Sequence, residues 1–314
     1  MPYVVDDRLV IGVASSALFD LTESGAVFDE QGESAYRAYQ EKHLHDPLAP
    51  GVAFQFVKRL LKLNDLSPSE EDPLVEVVMM SRNDPETGLR VMKSVDHHGL
   101  AITRGVFRAG QSPYKFIPAF NIVLYLSADE KAVRAALGSG YPAGLVLAST
   151  AEDDGTDDLR ISFDFDGVLA DDSAEQVFQA GGLQAFQEGE TGRADEPLPE
   201  GPLLPFLRAL SRLQEAERNR LSGDTGYSKR LFVSIVTARN APAHERMVRT
   251  LKNWEVTVDD AFLLGGIDKG RIMEVLRPHI FFDDQRRHLD GTAKYAASVH
   301  VPFGELNRRH DGGG

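Results

Sequence analysis

The chain has 314 residues, 34 Lys and Arg against 48 Asp and Glu, a formal net charge of −14, and no cysteine. With 42% hydrophobic and 26% charged residues it has a globular composition, and its length suits about two domains of ~150 residues. The lack of cysteine excludes disulfides, thiol nucleophiles and thiolate zinc sites, and the acidic balance argues against a nucleic acid polymer as partner, though not against a small phosphorylated ligand held by one or two local cations.

The first residues, Met1-Pro2-Tyr3-Val4-Val5-Asp6-Asp7-Arg8, show no basic region followed by an apolar stretch, so no signal peptide is expected. No window approaches the ~20 apolar residues of a membrane span. These features predict a cytoplasmic protein with no membrane partner. Further along, short apolar runs alternate with amphipathic segments, the pattern of an α/β protein with a parallel sheet. In chain order the sequence predicts a strand at 9–13, helices at 33–43 and 52–63, a strand at 75–80, a helix at 86–94, a strand at 122–126, a helix at 130–137 and a strand at 145–147. The polar, acidic stretch 151–158 (AEDDGTDD) reads as a linker. Beyond it come a strand at 159–163, helices at 173–178 and 202–216, a strand at 231–236, helices at 243–252 and 269–276, and strands at 280–282 and 298–301. Gly201-Pro202 opens one of these helices, where proline suits the first position. Residues 1–150 and 159–304 thus form two halves, with 305–314 as an exposed tail.

The halves look like copies. A shift of 150 aligns PLAPGVAFQFVKRLLKL (47–63) with PLPEGPLLPFLRALSRL (197–213), matching Pro47/Pro197, Gly51/Gly201, Phe56/Phe206 and Leu60/Leu210, and also Gly32/Gly182. A shift of 157 pairs Arg82-Asn83 with Arg239-Asn240. Shared apolar rhythm alone does not place glycines, prolines and an Arg-Asn pair in register.

The second half carries the chemistry. Phe163-Asp164-Phe165-Asp166-Gly167 is a strand running into D-x-D-G. Ligands sit outside the carboxyl ends of parallel strands. Two carboxylates there can divide the labour: one attacks phosphorus, the other shuttles a proton. Alone the motif is also compatible with an acidic turn. Three further pieces strengthen it. Thr237-Ala238-Arg239-Asn240 follows a strand and offers a hydroxyl and backbone N–H groups to an anion. Lys269 opens a helix just before the next strand, where a phosphate-facing cation is wanted. Asp283-Asp284 end that strand, and paired acids with oxygen-only ligands favour Mg²⁺.

The order D-x-D, Thr, Lys, Asp-Asp resembles the haloacid dehalogenase (HAD) superfamily of phosphohydrolases. The segments VIGVASSALFDL, AYRAYQ with PLAPGVAF, SPYKFIPAFNIVLYLSAD, FDFDGVLADDSAE, TARN and RPHIFFDDQ together resemble the cytosolic type I 5′-nucleotidases, over nearly the whole chain. The resemblance implies a Rossmann-like HAD fold and Mg²⁺-dependent hydrolysis of nucleoside 5′-monophosphates through an aspartyl-phosphate. It implies Asp164 as nucleophile and Asp166 as acid/base with its carbonyl on the metal. Thr237, Ala238 and Lys269 would hold phosphate. Asp164, Asp166, Asp283 and Asp284 would form the metal site. The insert 171–200 stands where that superfamily carries a cap, and here it is short.

Mapped through the shifts, Asp164 falls on Ala14, Asp166 on Ser16, Thr237 on Met80, Lys269 on Ser112, Asp283 on Leu126 and Asp284 on Ser127. The first half is therefore expected to be a catalytically silent copy that also lines the substrate pocket. Its candidate contacts are Phe19, Asp20, Arg82, Asn83, Gln111 and Tyr114, joined by Arg239 and Asn240 from the second half. Val95-Asp96-His97-His98-Gly99 matches a D-H-H phosphoesterase signature but lacks that class's companion acids, and reads as a polar helix end. A sugar phosphate is an alternative substrate, and a non-catalytic nucleotide sensor a third reading that the intact acids oppose. The sequence leaves the preferred base and the oligomeric state open, a homo-oligomer included.

Overall fold

A computed structural model describes residues 8–69 and 71–308. Of the expected exposed tail 305–314, residues 305–308 form a short helix whose Asn307 is buried, donating to the Asp284 carbonyl at 3.0 Å, while the residues beyond Arg308 and the first seven lie outside the described residues. Among the described residues, ten strands form one sheet in the order β3-β2-β1-β4-β5-β10-β9-β6-β7-β8. In the first half these are β1 (Leu9–Val13), β2 (Val75–Ser81), β3 (Arg104–Phe107), β4 (Leu124–Ser127) and β5 (Ala143–Val146). The second half supplies β6 (Leu159–Phe163), β7 (Leu231–Thr237), β8 (Asp260–Leu263), β9 (Ile280–Asp283) and β10 (Ala297–His300). The central strands are buried on both faces, which is why they read as unbroken apolar runs. β3 and β8 are the two outer strands. Each is largely unburied and has no such run, so neither was expected from the sequence.

Eleven helices connect the strands among the described residues. They are α1 (Ser15–Leu18), α2 (Thr22–Lys42), α3 (Phe54–Lys62), α4 (Gly88–His97), α5 (Glu130–Gly138), α6 (Ser173–Gly192), α7 (Leu204–Gly223), α8 (His244–Asn253), α9 (Lys269–Leu276), α10 (Arg286–Thr292) and α11 (Glu305–Arg308). The insert 171–200 is mostly α6, much longer than the expected 173–178. α2 and α6 are each kinked at a glycine with positive φ, Gly32 at 81° and Gly182 at 72°. The D-H-H segment ends α4, where His98 stacks on Phe19 and bonds the Leu48 carbonyl at 2.8 Å.

Each half follows the same strand order. From its outer edge inward it runs third, second, first, fourth, fifth. Every pairing is parallel except the joint between the halves, where β5 meets β10 antiparallel. One apolar core spans both halves: α3 packs on β6 and α7 on β1, and Phe56 meets Phe206 edge-on with centroids 6.4 Å apart. The acidic segment 151–158 is pinned by arginines from either side, with Asp153 2.5 Å from Arg59 and Asp154 paired to Arg160.

The strand registers adjust the sequence correspondence by one residue. Leu9 pairs Val75 as Leu159 pairs Leu231, so Ser81, not Met80, stands where Thr237 does. Ile11 pairs Leu124 as Ile161 pairs Ile280, so Ser127 and Ala128, not Leu126 and Ser127, stand where Asp283 and Asp284 do.

Candidate active site

The carboxyl ends of β6, β7 and β9 lie side by side because these strands are parallel neighbours or next neighbours in the sheet. Asp164 follows β6 directly. Its amide donates to the Phe282 carbonyl at 2.8 Å, and its Oδ1 accepts the Phe165 N–H at 2.7 Å. The chain then folds back sharply, with the amides of Leu169 and Ala170 both donating to the Phe165 carbonyl at 2.9 Å. Gly167 has φ 74°, and a Cβ there would stand 2.7 Å from the Asp284 carboxyl carbon, so both conformation and space require glycine. Asp283 ends the neighbouring strand β9, and Asp284 follows it directly.

Lys269 joins the strands' acids. It opens α9, whose first turn is capped by Asp268 accepting the Gly270 N–H at 2.7 Å. Its Nζ lies 2.8 Å from Asp164 Oδ2 and 2.7 Å from Asp283 Oδ2. Asp283 Oδ1 also accepts the Gln285 N–H at 2.8 Å, and His288 Nδ1 stands 3.2 Å from both Asp283 oxygens. All four side chains except that of His288 are buried. Thr237 is buried at the end of β7 and accepts the Arg239 N–H at 3.2 Å, and Ala238 is exposed beside it.

Charge follows from these contacts. Burial pushes the Asp164 carboxyl above the usual carboxylate range, Lys269 pulls it back, and repulsion from Asp283 adds to the rise. Asp283 is desolvated too, yet Lys269 and His288 carry it below its ordinary value. Lys269, despite burial, is held protonated by the two carboxylates. Asp284 differs. Burial and the like charges of Asp283 and Asp164 raise it well above its ordinary value, and its Oδ1 is buried with no hydrogen-bond partner. A buried carboxylate oxygen without a donor, beside two more carboxylates, fits a hard divalent cation. Asp164, Asp283 and His288 also present ligand atoms within 4.8 Å of one another.

The structure thus brings together Asp164, Asp166, Thr237, Ala238, Lys269, Asp283 and Asp284. Arg239 and Asn240 lie in the same loop, but Arg239 is no substrate contact as it stands. Its side chain is 1% exposed and binds Asp166 with Nε at 2.8 Å and Nη2 at 2.7 Å. Two participants have no counterpart among the sequence candidates. His288 lies one helical turn beyond Asp284, and Glu190 reaches Arg239 from α6. No local motif marks either, since Glu190 arrives from a helix 49 residues away in sequence.

The six first-half candidates are not at this site. The antiparallel joint of β5 and β10 reverses the second half, so the carboxyl ends of the first-half strands lie at the opposite sheet edge from Asp164. Phe19 and Asp20 line a cavity of about 670 Å³ there, shared with Arg160, His279 and Tyr295. Arg82, Asn83, Gln111 and Tyr114 follow β2 and β3 at that same edge. Arg82 pairs with Asp129 at 2.8 Å, and Asn83 accepts from the Tyr36 hydroxyl at 3.2 Å.

The sequence model of a family described as 5′-nucleotidase matches residues 1–308. Cytosolic 5′-nucleotidase 1B of Homo sapiens is 35% identical over 312 residues, covering 95% of this chain and 49% of that protein. The chain therefore spans about half the length of that curated relative. No solved structure matches. No helix among the described residues is long and apolar enough to cross a membrane.

Proposed function

The chain belongs to the 5′-nucleotidase family, and on that footing we propose that it hydrolyses nucleoside 5′-monophosphates to nucleoside and phosphate. The observation that carries the reading is the buried cluster in which Lys269 bridges Asp164 and Asp283 beside the unpartnered oxygen of Asp284. Burying three carboxylates with one lysine, which contacts two of them, is costly for a fold, and such clusters concentrate at functional sites.

Asp164 attacks the phosphorus, and the bond from phosphorus to the ribose oxygen breaks. Asp166 gives its proton to that departing oxygen. Asp166 then takes a proton from water, whose oxygen attacks the phosphorus of the aspartyl-phosphate. The bond from phosphorus to Asp164 breaks, releasing phosphate and restoring both acids. Lys269, Thr237 and the Ala238 amide face the phosphoryl oxygens, where charge is spread in the transition state. Asp164, Asp284, Asp283 and the Asp166 carbonyl would hold Mg²⁺, which supplies charge neutralisation when bound. Of the paired acids, Asp284 is the better ligand, because Asp283 is already engaged by Lys269, His288 and the Gln285 amide.

The same reading assigns the second half to the HAD superfamily, with α6 as its short cap, and the first half to a silent duplicate. What supports the duplication is the common strand order, the paired kinks at Gly32 and Gly182, and a shared tight turn. In that turn Gly51 N–H donates to Leu18 and Gly201 N–H to Leu169, at 2.8 and 2.7 Å. By likeness to the human relative, the protein is assigned to the cytosol.

The test is phosphate release from a panel of nucleoside 5′-monophosphates and sugar phosphates, with Mg²⁺ and with excess chelator. Preference for nucleotides with an absolute need for Mg²⁺ supports the proposal. Preference for a sugar phosphate keeps the chemistry and overturns the substrate.

A further inference from the structure

We propose that Arg239 is the positioning residue for Asp166, and that Glu190, on the insert helix α6, holds Arg239 in place. The inference rests on the phosphatase reading above and adds two residues to its machinery.

The Arg239 guanidinium is fully enclosed. Besides its paired bonds to Asp166, Nη1 bonds Glu190 and the Ala243 carbonyl, and the group sits 5.3 and 5.4 Å from the ring centres of Phe165 and Phe186. Glu190 is buried and reaches Arg246 as well, at 2.7 Å. A planar guanidinium that binds both carboxylate oxygens fixes the direction of the acid, which a single contact would leave free to rotate. Asp166 needs such a restraint because it lies on the sharp turn three residues beyond the strand.

The first half serves as an internal control. It keeps what the fold needs. Arg90 stands for Arg246 and bonds the Asp46 carbonyl at 3.0 Å, as Arg246 bonds that of Glu196 at 2.8 Å. Ser94 and Thr250 each accept the amide of the leucine after a proline, Leu48 and Leu198. Where Asp166 gives way to Ser16, however, the restraint is gone too. Asn83 stands for Arg239 and Gln40 for Glu190. Arg90 bonds neutral Gln40 at 3.2 Å, so the arginine common to both halves does not itself need an acid there. The acid at 190 is present only where Arg239 is, and Arg239 only where Asp166 is. That correlation ties the pair to chemistry rather than to folding.

The experiment uses the full chain with Mg²⁺ and the variants Arg239→Ala, Arg239→Lys and Glu190→Gln, each checked by thermal melt. Two substrates are compared, a nucleoside 5′-monophosphate and p-nitrophenyl phosphate, whose leaving group departs without a proton. Arg239→Ala is expected to lower kcat for the nucleotide about 100-fold with KM changed less than about 3-fold. The pre-steady-state burst of p-nitrophenolate should persist within about 5-fold, because Asp164 attack does not need Asp166. Added guanidinium ion should restore part of the lost rate. Glu190→Gln should give the same pattern at about 10-fold, and Arg239→Lys an intermediate one. A rise in KM with kcat intact, a burst of p-nitrophenolate slowed as much as nucleotide turnover, or a faster variant overturns the inference while leaving the nucleotidase reading standing. A wild type that cleaves neither substrate overturns both.

Discussion

Asp283 Oδ2 lies 2.7 Å from Lys269 Nζ with both side chains buried, so neither charge has water as a substitute partner. Replacing Lys269 by Met would leave Asp164, Asp283 and Asp284 facing one another with no cation from the protein. Urea unfolding of metal-free Lys269→Met is expected to show a loss of about 3–5 kcal/mol, and phosphatase activity should fall below detection. A variant as stable as wild type would show that the lysine does not offset the acids.

Asp164→Asn keeps the shape of the side chain and its acceptor for the Phe165 amide but removes the carboxylate proposed to attack phosphorus. Turnover is expected to fall more than about 1000-fold with an unchanged circular dichroism spectrum. Beryllium fluoride with Mg²⁺ should raise the melting temperature of wild type and not of the variant. A retained tenth of the rate would remove Asp164 from its assigned role.

Asp284→Asn separates stability from metal binding. The wild-type carboxyl is pushed up by burial and by the charges of Asp283 and Asp164. Neutralising it relieves that repulsion, so the metal-free variant should melt higher than metal-free wild type. The Mg²⁺ concentration for half-maximal activity should rise at least about 10-fold. A lower melting temperature together with unchanged Mg²⁺ demand would contradict both halves of the argument.

His279 supplies the pH dependence. Burial, with Arg59 and Arg160 nearby, lowers its pKa to about 4, and its Nδ1 accepts the Arg160 amide at 3.0 Å. The folded state therefore keeps this ring neutral while the unfolded chain protonates it near its ordinary value of 6.5. Its share of stability is full above about pH 6.5 and is lost as pH falls toward 4, at most about 3 kcal/mol. Urea unfolding of wild type and His279→Gln across that window should show a steeper decline for wild type. Parallel curves would assign the acid sensitivity to other groups.

The sequence made most of the site legible because chemistry at strand ends is written locally. Asp164-Phe165-Asp166-Gly167 and Asp283-Asp284 each stand directly after an apolar run, so the residue and its address are read together. The central strands were legible for the same reason. Arg104–Phe107 and Asp260–Leu263 were not, because an outer strand has only one neighbour and carries little apolar signal. The direction of the joint was less visible still. Whether β5 meets β10 parallel or antiparallel depends on how two faces pack, and no residue encodes it alone. That one sign moved Phe19, Asp20, Arg82, Asn83, Gln111 and Tyr114 from the expected pocket wall to the far edge. Glu190 was hidden by distance along the chain, and its meaning emerges only beside Gln40.

The reversed joint of β5 and β10 gives the molecule two rims that face away from each other. Strands of four or five residues separate them by about 15 Å. A label, tether or surface attached through the Ser16 rim stands clear of the Asp164 rim, so immobilisation there is expected to leave the proposed activity unchanged. The same bulk attached through the loop of Thr237 would cover the cluster of Asp164, Lys269 and Asp283.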